Sequence, residues 1–473
     1  MTSIQKVNEL FQKWSGRAPL RTEPIFGTGS YRQYFRIFGD LGIVVGAYNE
    51  DLRENQAFLS FSKHFRSEGL PVPEILAEDN KGHCYLLSDL GDETLFSRLS
   101  GIRREQPDFS GELVELYKKV IGWLPRFQVS AGKGIDFGKC YPRAAFDTQS
   151  MLWDLNYFKY YFLKLARVPF DEQKLEDDFK TLTAFLLSAD SGYFIYRDFQ
   201  SRNVMILDDE PWFIDYQGGR KGALQYDIAS LLYDAKADIP ENIREGLLDH
   251  YLDVLGKYHS IDHEEFRTYF YGFVLIRILQ ALGAYGFRGY YEKRPHFLQS
   301  IPFAMANLEY LLQSGRIGLK IPMLGEVLER MTQDPQFREK ARPASDLEVS
   351  VTSFSYKNGM PGDDSGNGGG FVFDCRALPN PGRYPEYKLV TGKDQPVIGF
   401  LKREPEVDRF LEHVFSLVDQ SVSTYVERGF THLAVNFGCT GGQHRSVFCA
   451  EELTKHLNER FSVKTHLRHR EIE

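Results

Sequence analysis

The stretch YFIYRDFQSRNVMILDDEPWFIDYQ, residues 193–217, constrains this chain more than any other. Tyr193–Arg197 and Val204–Leu207 read as short strands around a loop, and Trp212–Ile214 reads as another. Three polar groups punctuate them: Asp198, Asn203 five residues later, and Asp215 after an apolar triplet. Phosphoryl transfer needs a carboxylate to orient and deprotonate the attacking hydroxyl, and hard oxygen ligands for Mg²⁺. Asp198 suits the first task, and Asn203 and Asp215 suit the second. Any one of the three is explained as well by a turn, where Asx residues are common. Their order and their apolar flanks are what point to a site.

The remainder of the chain sets limits. Its 473 residues correspond to about three compact units at roughly 150 residues each. With 42% apolar and 26% charged residues it has an ordinary globular composition, which excludes a disordered or fibrous chain. The net charge of −8 argues against general nucleic-acid binding, although a local basic patch remains open. Cys84, Cys140, Cys375, Cys439 and Cys449 form no CxxC pair and no zinc spacing, so a reducing compartment is expected rather than a disulfide framework. The start shows no secretory h-region. The most apolar run, 270–287, is interrupted by Arg277 and Gln280 and predicts a buried helix, not a membrane span. The expected location is the cytoplasm.

Residues 20–90 alternate short β-like runs with turns around one helix-like stretch, and 110–315 are mostly helical in pattern. Residues 331–346, including TQDPQFREKARPAS, read as a linker, and LEVSVTSFSY after it alternates like a strand again. GMPGDDSGNGGG (359–370) is too glycine-rich to pack and predicts a mobile loop. Near the N-terminus, Gly27, Gly29 and Ser30 lie between two β-like runs. There, backbone N–H groups and a hydroxyl would face nucleotide phosphates, although the same spacing fits an ordinary turn.

On GTGSYRQYFRI (27–37), LPVPEILAEDNKGHCYLLSDLGDETL (70–95), YRDFQSRNVMIL, FIDYQGGRKGALQYDIASLLYD (213–234) and RILQALGAYGF (277–287), the first 325 or so residues resemble the aminoglycoside-phosphotransferase-like kinases. More narrowly they resemble the AmgK branch, anomeric kinases of N-acetylmuramate and N-acetylglucosamine. The resemblance implies a bilobal protein-kinase-like fold over 1–330, with an N-lobe to about 88 and a C-lobe after it. It implies ATP and Mg²⁺ as cofactors and Asp198 as the base. The metal ligands would be Asn203 and Asp215. Arg197 and Arg202 would flank the catalytic loop, with Arg202 and Asp154 toward the sugar. Asp227 would be a structural anchor, and Leu86–Leu90, with Ser88 and Leu90, the adenine hinge. Tyr196 stands where a histidine usually precedes the Arg-Asp pair. The third-strand run GIVVGAYNE has Gly46 or Ala47 in place of a phosphate-binding lysine; Arg32 or Arg36 could supply that charge, and Glu54 would lose its usual partner. In MLWDLNYFKYYFLKLA, Leu152, Leu155, Phe158 and Phe162 form an apolar stripe, with Asp154 and Asn156 facing elsewhere.

The last 130 residues carry a separate signal. HLAVNFG (432–438) alternates as a strand, CTGGQHRS (439–446) is a glycine-rich loop, and SVFCAEELTKHLNERF continues at helical spacing. Loop N–H groups in front of a helix form an anion site, to which Arg445 adds charge and Ser446 a cap. A phosphate or a phosphorylated small molecule is the matching ligand. Cys439, five intervening residues, then Arg445 and Ser446 also match the cysteine-phosphatase loop, for which Asp374 or Asp408 would be the acid.

SFSYKNGMP, FVFDCRALPNP (371–381), LVTGKDQPV (389–397), FGCTGGQHRSVFCAEEL and the terminal HLRHRE resemble the RapZ C-terminal domain. That resemblance implies a smaller α/β domain over 347–473 that binds an amino-sugar phosphate. Its site would use Asp374, Arg376, Thr391, Gly392, Cys439, Thr440, Gly441, His444 and Arg445. It also implies a tendency toward homo-oligomers. RNA contact is not expected here, because the GxxxxGK[ST] domain of RapZ is missing and a short basic tail on an acidic chain is usually solvated. A sugar kinase with a phosphosugar-sensing domain is the leading expectation. A non-catalytic sensor and a C-terminal phosphatase are the alternatives.

Overall fold

A computed structural model describes residues 2–25, 32–105, 108–292, 294–338, 347–362, 370–388, 390–428, 430–461 and 463–472. It divides into two units, Met1–Tyr291 with Ser300–Arg338, and Glu292–Gln299 with Glu339–Glu473.

The first unit begins with α1 (Ser3–Ser15), started by a Thr2–Gln5 capping box and ended at Gly16 in the left-handed region. Strands β1 (Arg21–Ile25), β2 (Gln33–Gly39), β3 (Gly42–Tyr48), β4 (Ile75–Glu78) and β5 (Cys84–Ser88) make an antiparallel sheet in the order β1-β2-β3-β5-β4, with α2 (Leu52–Ser67) inserted after β3. The pleat sorts the side chains. Phe35, Ile37, Val44 and Tyr48 pack with Val7, Leu10 and Phe11 of α1. Tyr85, on the opposite face, stacks on Phe58 of α2 at 5.1 Å.

A helical lobe follows, with α3 (Leu95–Glu105), α4 (Gly111–Pro125), α5 (Thr148–Tyr157), α6 (Glu172–Leu187), α7 (Gln225–Leu232), α8 (Glu241–Leu255), α9 (His263–Gly286), α10 (Ile301–Gln313), α11 (Pro322–Gln333) and α12 (Pro335–Arg338). Two short antiparallel pairs lie among them: β6 (Tyr193–Ile195) with β9 (Arg220–Gly222), and β7 (Val204–Leu207) with β8 (Glu210–Phe213). The expected 270–287 helix is the inner part of α9. It is long and apolar enough to cross a membrane, but 72% of its most apolar window is buried inside the protein, so it is a core helix. Gly286 is needed there, because a Cβ would sit 2.1 Å from the Tyr161 carbonyl oxygen.

The linker expectation is corrected over its first half. Met331, Thr332 and Phe337 are buried, so the first unit runs through Arg338. The polar face of α11 had hidden an apolar stripe of Leu324, Val327, Leu328 and Met331. Residues 339–346 and 363–369, where the remaining linker and most of the expected mobile loop fall, lie outside the described residues.

The second unit is a parallel sheet of β10 (Glu348–Ser355), β11 (Gly370–Asp374), β12 (His432–Cys439) and β13 (Lys464–His469) in the order β11-β12-β10-β13. Helices α13 (Gln395–Leu401), α14 (Pro405–Arg428) and α15 (Arg445–Arg460) accompany it. Its core joins Val349, Val351, Val435 and Phe437 of the sheet to Val414, Val418, Leu453 and Leu457 of the helices. Burial of apolar side chains on central strands is what a parallel sheet requires.

Candidate active site and phosphate loop

The 193–222 segment folds as the β6–β9 pair with the β7–β8 hairpin between its strands in sequence. β7 and β8 are joined by Asp208 and Asp209 at φ 52° and 60°, the two-residue turn in which both centres are left-handed. Arg197 and Asp215, on either side of Asp198 and Asn203, also have positive φ, 79° and 70°. Each such residue costs on the order of 1–3 kcal/mol and persists only where its surroundings hold it. The holding groups are visible. Asp227, fully buried at the start of α7, accepts the backbone N–H groups of Tyr196 at 2.8 Å and Arg197 at 3.0 Å, and Gln128 Nε2 at 3.1 Å. Burial pushes its carboxyl up to about 6 against these donors. Tyr196, in the usual histidine position, is buried and donates its hydroxyl to the Ile214 carbonyl, tying the loop to the segment that carries Asp215.

Asn203 is the hub of the three residues. Its Nδ2 donates to the Asp198 carbonyl at 2.9 Å and to Asp215 Oδ2 at 3.2 Å. Gln217 Nε2 donates to Asp215 Oδ1 at 2.7 Å and reaches Glu54 Oε1 at 3.5 Å. Burial, then the nearby charge of Asp198, push the Asp215 carboxyl upward. Asp198, Asn203 and Asp215 are therefore brought together around like charges that a cation would relieve. Among the described residues no three His, Cys, Asp or Glu side chains form a self-contained metal cage. The Asp215 carboxylate and the Asn203 amide oxygen fit Mg²⁺, which keeps waters and completes its shell with substrate phosphates.

The other expected residues are placed as follows. Asp154, on α5, is buried rather than turned away from the core. Both its oxygens accept from the Arg197 fork, at 2.9 and 3.2 Å. Arg202 is exposed and stacks over Phe96 at 4.8 Å. Ser88, at the end of β5, is tied to Glu74 through main chain and hydroxyl, both at 3.0 Å, and Leu90 just after it is buried. Arg36 is spent on this connection: it pairs with Asp89 at 2.8 Å and Asp92 at 2.9 Å and donates to the Gly91 carbonyl. Arg32 is buried and pairs with Glu54. Gly27, Gly29 and Ser30 lie outside the described residues. Sequence reasoning missed Gln217 and the arginines behind Arg197. Arg220 is pushed down to about 10 by burial and then by Arg197, and Arg277 donates to Tyr226 and Ser230. Arg277 was legible only as an interruption in an apolar helix.

In the second unit the expected residues gather at the carboxyl ends of the parallel strands, where α/β sheets bind ligands. Asp374 ends β11 and Cys439 ends β12. Gly392 lies on the loop before α13 and packs on the loop before α15. Its N–H donates to the Gln443 carbonyl at 2.8 Å, and a Cβ there would stand 2.2 Å from the His444 oxygen. Thr391 donates its N–H and hydroxyl to Asp394. His444 Nε2 lies 2.9 Å from the Tyr387 carbonyl. Thr440 and Gly441 are exposed at the loop tip. The Cys439 thiol is buried, 3.2 Å from the Gly442 N–H and 3.1 Å from Ser446 Oγ. Arg445 does not reach out. Its Nη1 donates to the carbonyls of Arg376 and Leu378 at 2.9 and 3.0 Å. Asp374 and Arg376 form a half-exposed bidentate pair that holds the Asp374 carboxyl below its usual range.

Residues 23–266 match the phosphotransferase enzyme family, and residues 347–473 match the RapZ C-terminal domain. Curated relatives match the C-terminal part. "Nucleotide-binding protein" of Solibacter usitatus is 38% identical over 117 residues, 25% of this chain and 35% of that one. Proteins of the same name from Acidobacterium capsulatum (40% identical, 27% and 40%) and Actinobacillus pleuropneumoniae (39%, 27% and 42%) match similarly, so the chain spans less than half the length of these relatives. Similar solved structures include choline kinase LicA from Streptococcus pneumoniae, at 15% identity and TM-score 0.43 over 66% of this chain and 100% of that one. Choline kinase from Cryptosporidium parvum gives 13% and 0.44 over 65% and 93%. Aminoglycoside phosphotransferase APH(4)-Ia gives 14% and 0.41 over 65% and 99%. The chain belongs to the phosphotransferase enzyme family, with a RapZ C-terminal domain following the phosphotransferase unit.

Proposed function

We propose that the first unit transfers the terminal phosphoryl group of ATP to a hydroxyl of an amino sugar such as N-acetylmuramate or N-acetylglucosamine, in the cytoplasm, and that the second unit binds an amino-sugar phosphate. The observation that carries the first part is the clustering of Asp198, Asn203 and Asp215 through one amide. The amino-sugar choice rests on the two family resemblances, which converge on one class of compound from separate parts of the chain.

In this reading Asp198 accepts the acceptor proton as the hydroxyl oxygen attacks phosphorus, and the phosphoryl group passes directly to it while ADP leaves. Asn203 and Asp215 would hold Mg²⁺, which supplies positive charge to the phosphate oxygens. Asp227 and Tyr196 hold Asp198 in place through the backbone. Arg197 keeps Asp154 in a fixed orientation at the acceptor side, so the sugar would meet a paired carboxylate with its outward lone pairs free to accept hydroxyl protons. The second unit would receive the phosphate on the exposed N–H groups of residues 440–441 and the α15 N-terminus.

The test is ADP release by the full chain with ATP, Mg²⁺ and each sugar, wild type beside Asp198→Asn. Sugar-dependent release lost in the variant is expected. No release from the wild type with either sugar would overturn the substrate assignment.

A further inference from the structure

Kinases of this architecture neutralise the nucleotide phosphates with a lysine on the third strand that pairs with a glutamate on the following helix. The third strand here, GIVVGAY, has no basic residue. The register shows where one would have to sit. Tyr34 on β2 faces Ala47 on β3, and Ala47 faces Tyr85 on β5. Gly46, one residue earlier, points to the α1 side, where a Cβ would meet Ile37 and Val7 at 2.9 and 3.1 Å. Ala47 is therefore the position on the α2 side, and it is fully buried.

By the same alternation Arg32 shares that side with Tyr34 and Ala47. Its side chain is 1% exposed, and its Nη2 lies 3.3 Å from Glu54 Oε1 on α2. Nη1 donates to the Tyr34 hydroxyl at 3.3 Å, and the guanidinium lies 5.5 Å over the Phe58 ring. Glu54 is itself fixed, accepting Asn49 Nδ2 at 2.7 Å and meeting Gln217, which donates to Asp215. The helix that carries Glu54 is docked by Ser62, whose hydroxyl lies 2.6 Å from that of Tyr216, the residue after Asp215. Arg32, Glu54, Gln217 and Asp215 thus form one continuous relay from the start of β2 to the proposed metal-ligand position. The small side chain of Ala47 leaves the face open for a guanidinium arriving from the neighbouring strand. A buried cation costs several kcal/mol in solvation, and placing one beside the carboxylates of a phosphate site is a use for that cost.

We propose that Arg32, clamped by Glu54, is the cation that binds the nucleotide phosphates, having moved from the third strand to the residue that leads into the second. This rests on the nucleotide-binding reading above and adds which residue contacts the phosphates. Glu54 is a positioning residue acting through Arg32.

The test is binding of Mg²⁺–AMP-PNP and of adenosine to the full chain by calorimetry, comparing wild type, Arg32→Met and Glu54→Gln. Arg32→Met keeps the packing over Phe58 without the charge, and Glu54→Gln keeps the shape of the clamp, so if one variant misfolds the other still decides. Loss of a charged hydrogen bond corresponds to about a 10- to 100-fold loss of triphosphate affinity in Arg32→Met and about 10-fold in Glu54→Gln, with adenosine affinity held within about threefold. Unchanged triphosphate affinity in a folded variant overturns the inference, and so does an equal loss for adenosine, which marks a collapsed pocket. A wild type that binds adenosine but gains nothing from the phosphates overturns the inference alone. A wild type that binds neither overturns the nucleotide reading as well.

Discussion

The two candidate loops handle charge in opposite ways. Around Asn203 the protein holds like charges together: one amide reaches the Asp198 carbonyl and the Asp215 carboxylate, and burial, then the charge of Asp198, work against Asp215 ionising. Around Cys439 the charges are already consumed. Arg445 serves two carbonyls, Asp374 is paired with Arg376, and His444 meets Tyr387. The first loop is electrostatically incomplete and calls for a cation. The second has its acid paired and its arginine held by main-chain carbonyls through Nη1, and offers an anion mainly main-chain N–H groups. The proposed function accordingly puts chemistry at the first arrangement and recognition at the second.

The largest expected effect tests the incomplete site. Asp198→Asn removes the proposed proton acceptor but little volume, and kcat should fall about 10²- to 10⁴-fold with nucleotide affinity held within about threefold. Substantial activity in the variant would mean that the acidic pair is structural, and the contrast between the loops would fail.

Asp227→Asn tests what holds that site. One carboxylate oxygen facing Tyr196 N–H or Arg197 N–H becomes an amide donor, leaving a buried donor unsatisfied. The first unit should lose about 2–3 kcal/mol in urea denaturation. A stability change within about 0.5 kcal/mol would show that the strained loop does not depend on Asp227.

Much of this arrangement was readable in the sequence, for physical reasons. The strand–loop–strand pattern at 193–217 and the strand–loop–helix at 432–461 are local, so their periodicity and turn residues report them directly. What escaped depends on distant partners. Nothing near Asp154 announces Arg197, 43 positions away, and nothing near Glu54 announces Gln217. Arg445 carries the right residue type for an anion, yet its direction is decided by carbonyls 67 and 69 positions earlier in the chain. The polar texture of 322–338 concealed helices because only one face of them is buried.

Arg445→Met sharpens the comparison from the other side. It leaves the Arg376 and Leu378 carbonyls without their charged donor, a loss of about 1–3 kcal/mol. Amide hydrogen exchange across 376–388 should speed up while sugar phosphorylation by the first unit holds. If glucosamine 6-phosphate affinity fell about 100-fold with exchange unchanged, Arg445 would be a direct ligand after all, and the second loop would be as incomplete as the first.

Cys439→Ser should do least. The thiol is buried beneath the loop, and a serine hydroxyl can accept from Gly442 N–H and exchange a hydrogen bond with Ser446 in the same place. The change should cost under about 1 kcal/mol and leave glucosamine 6-phosphate affinity within about threefold. A phosphatase loop would behave otherwise, because its cysteine must be a thiolate open to attack on phosphorus, with the arginine turned toward the phosphate oxygens. Here the thiol lies inside and Arg445 faces the main chain. Release of inorganic phosphate from glucosamine 6-phosphate by the wild type, abolished in Cys439→Ser, would reverse the comparison by moving chemistry to the second loop.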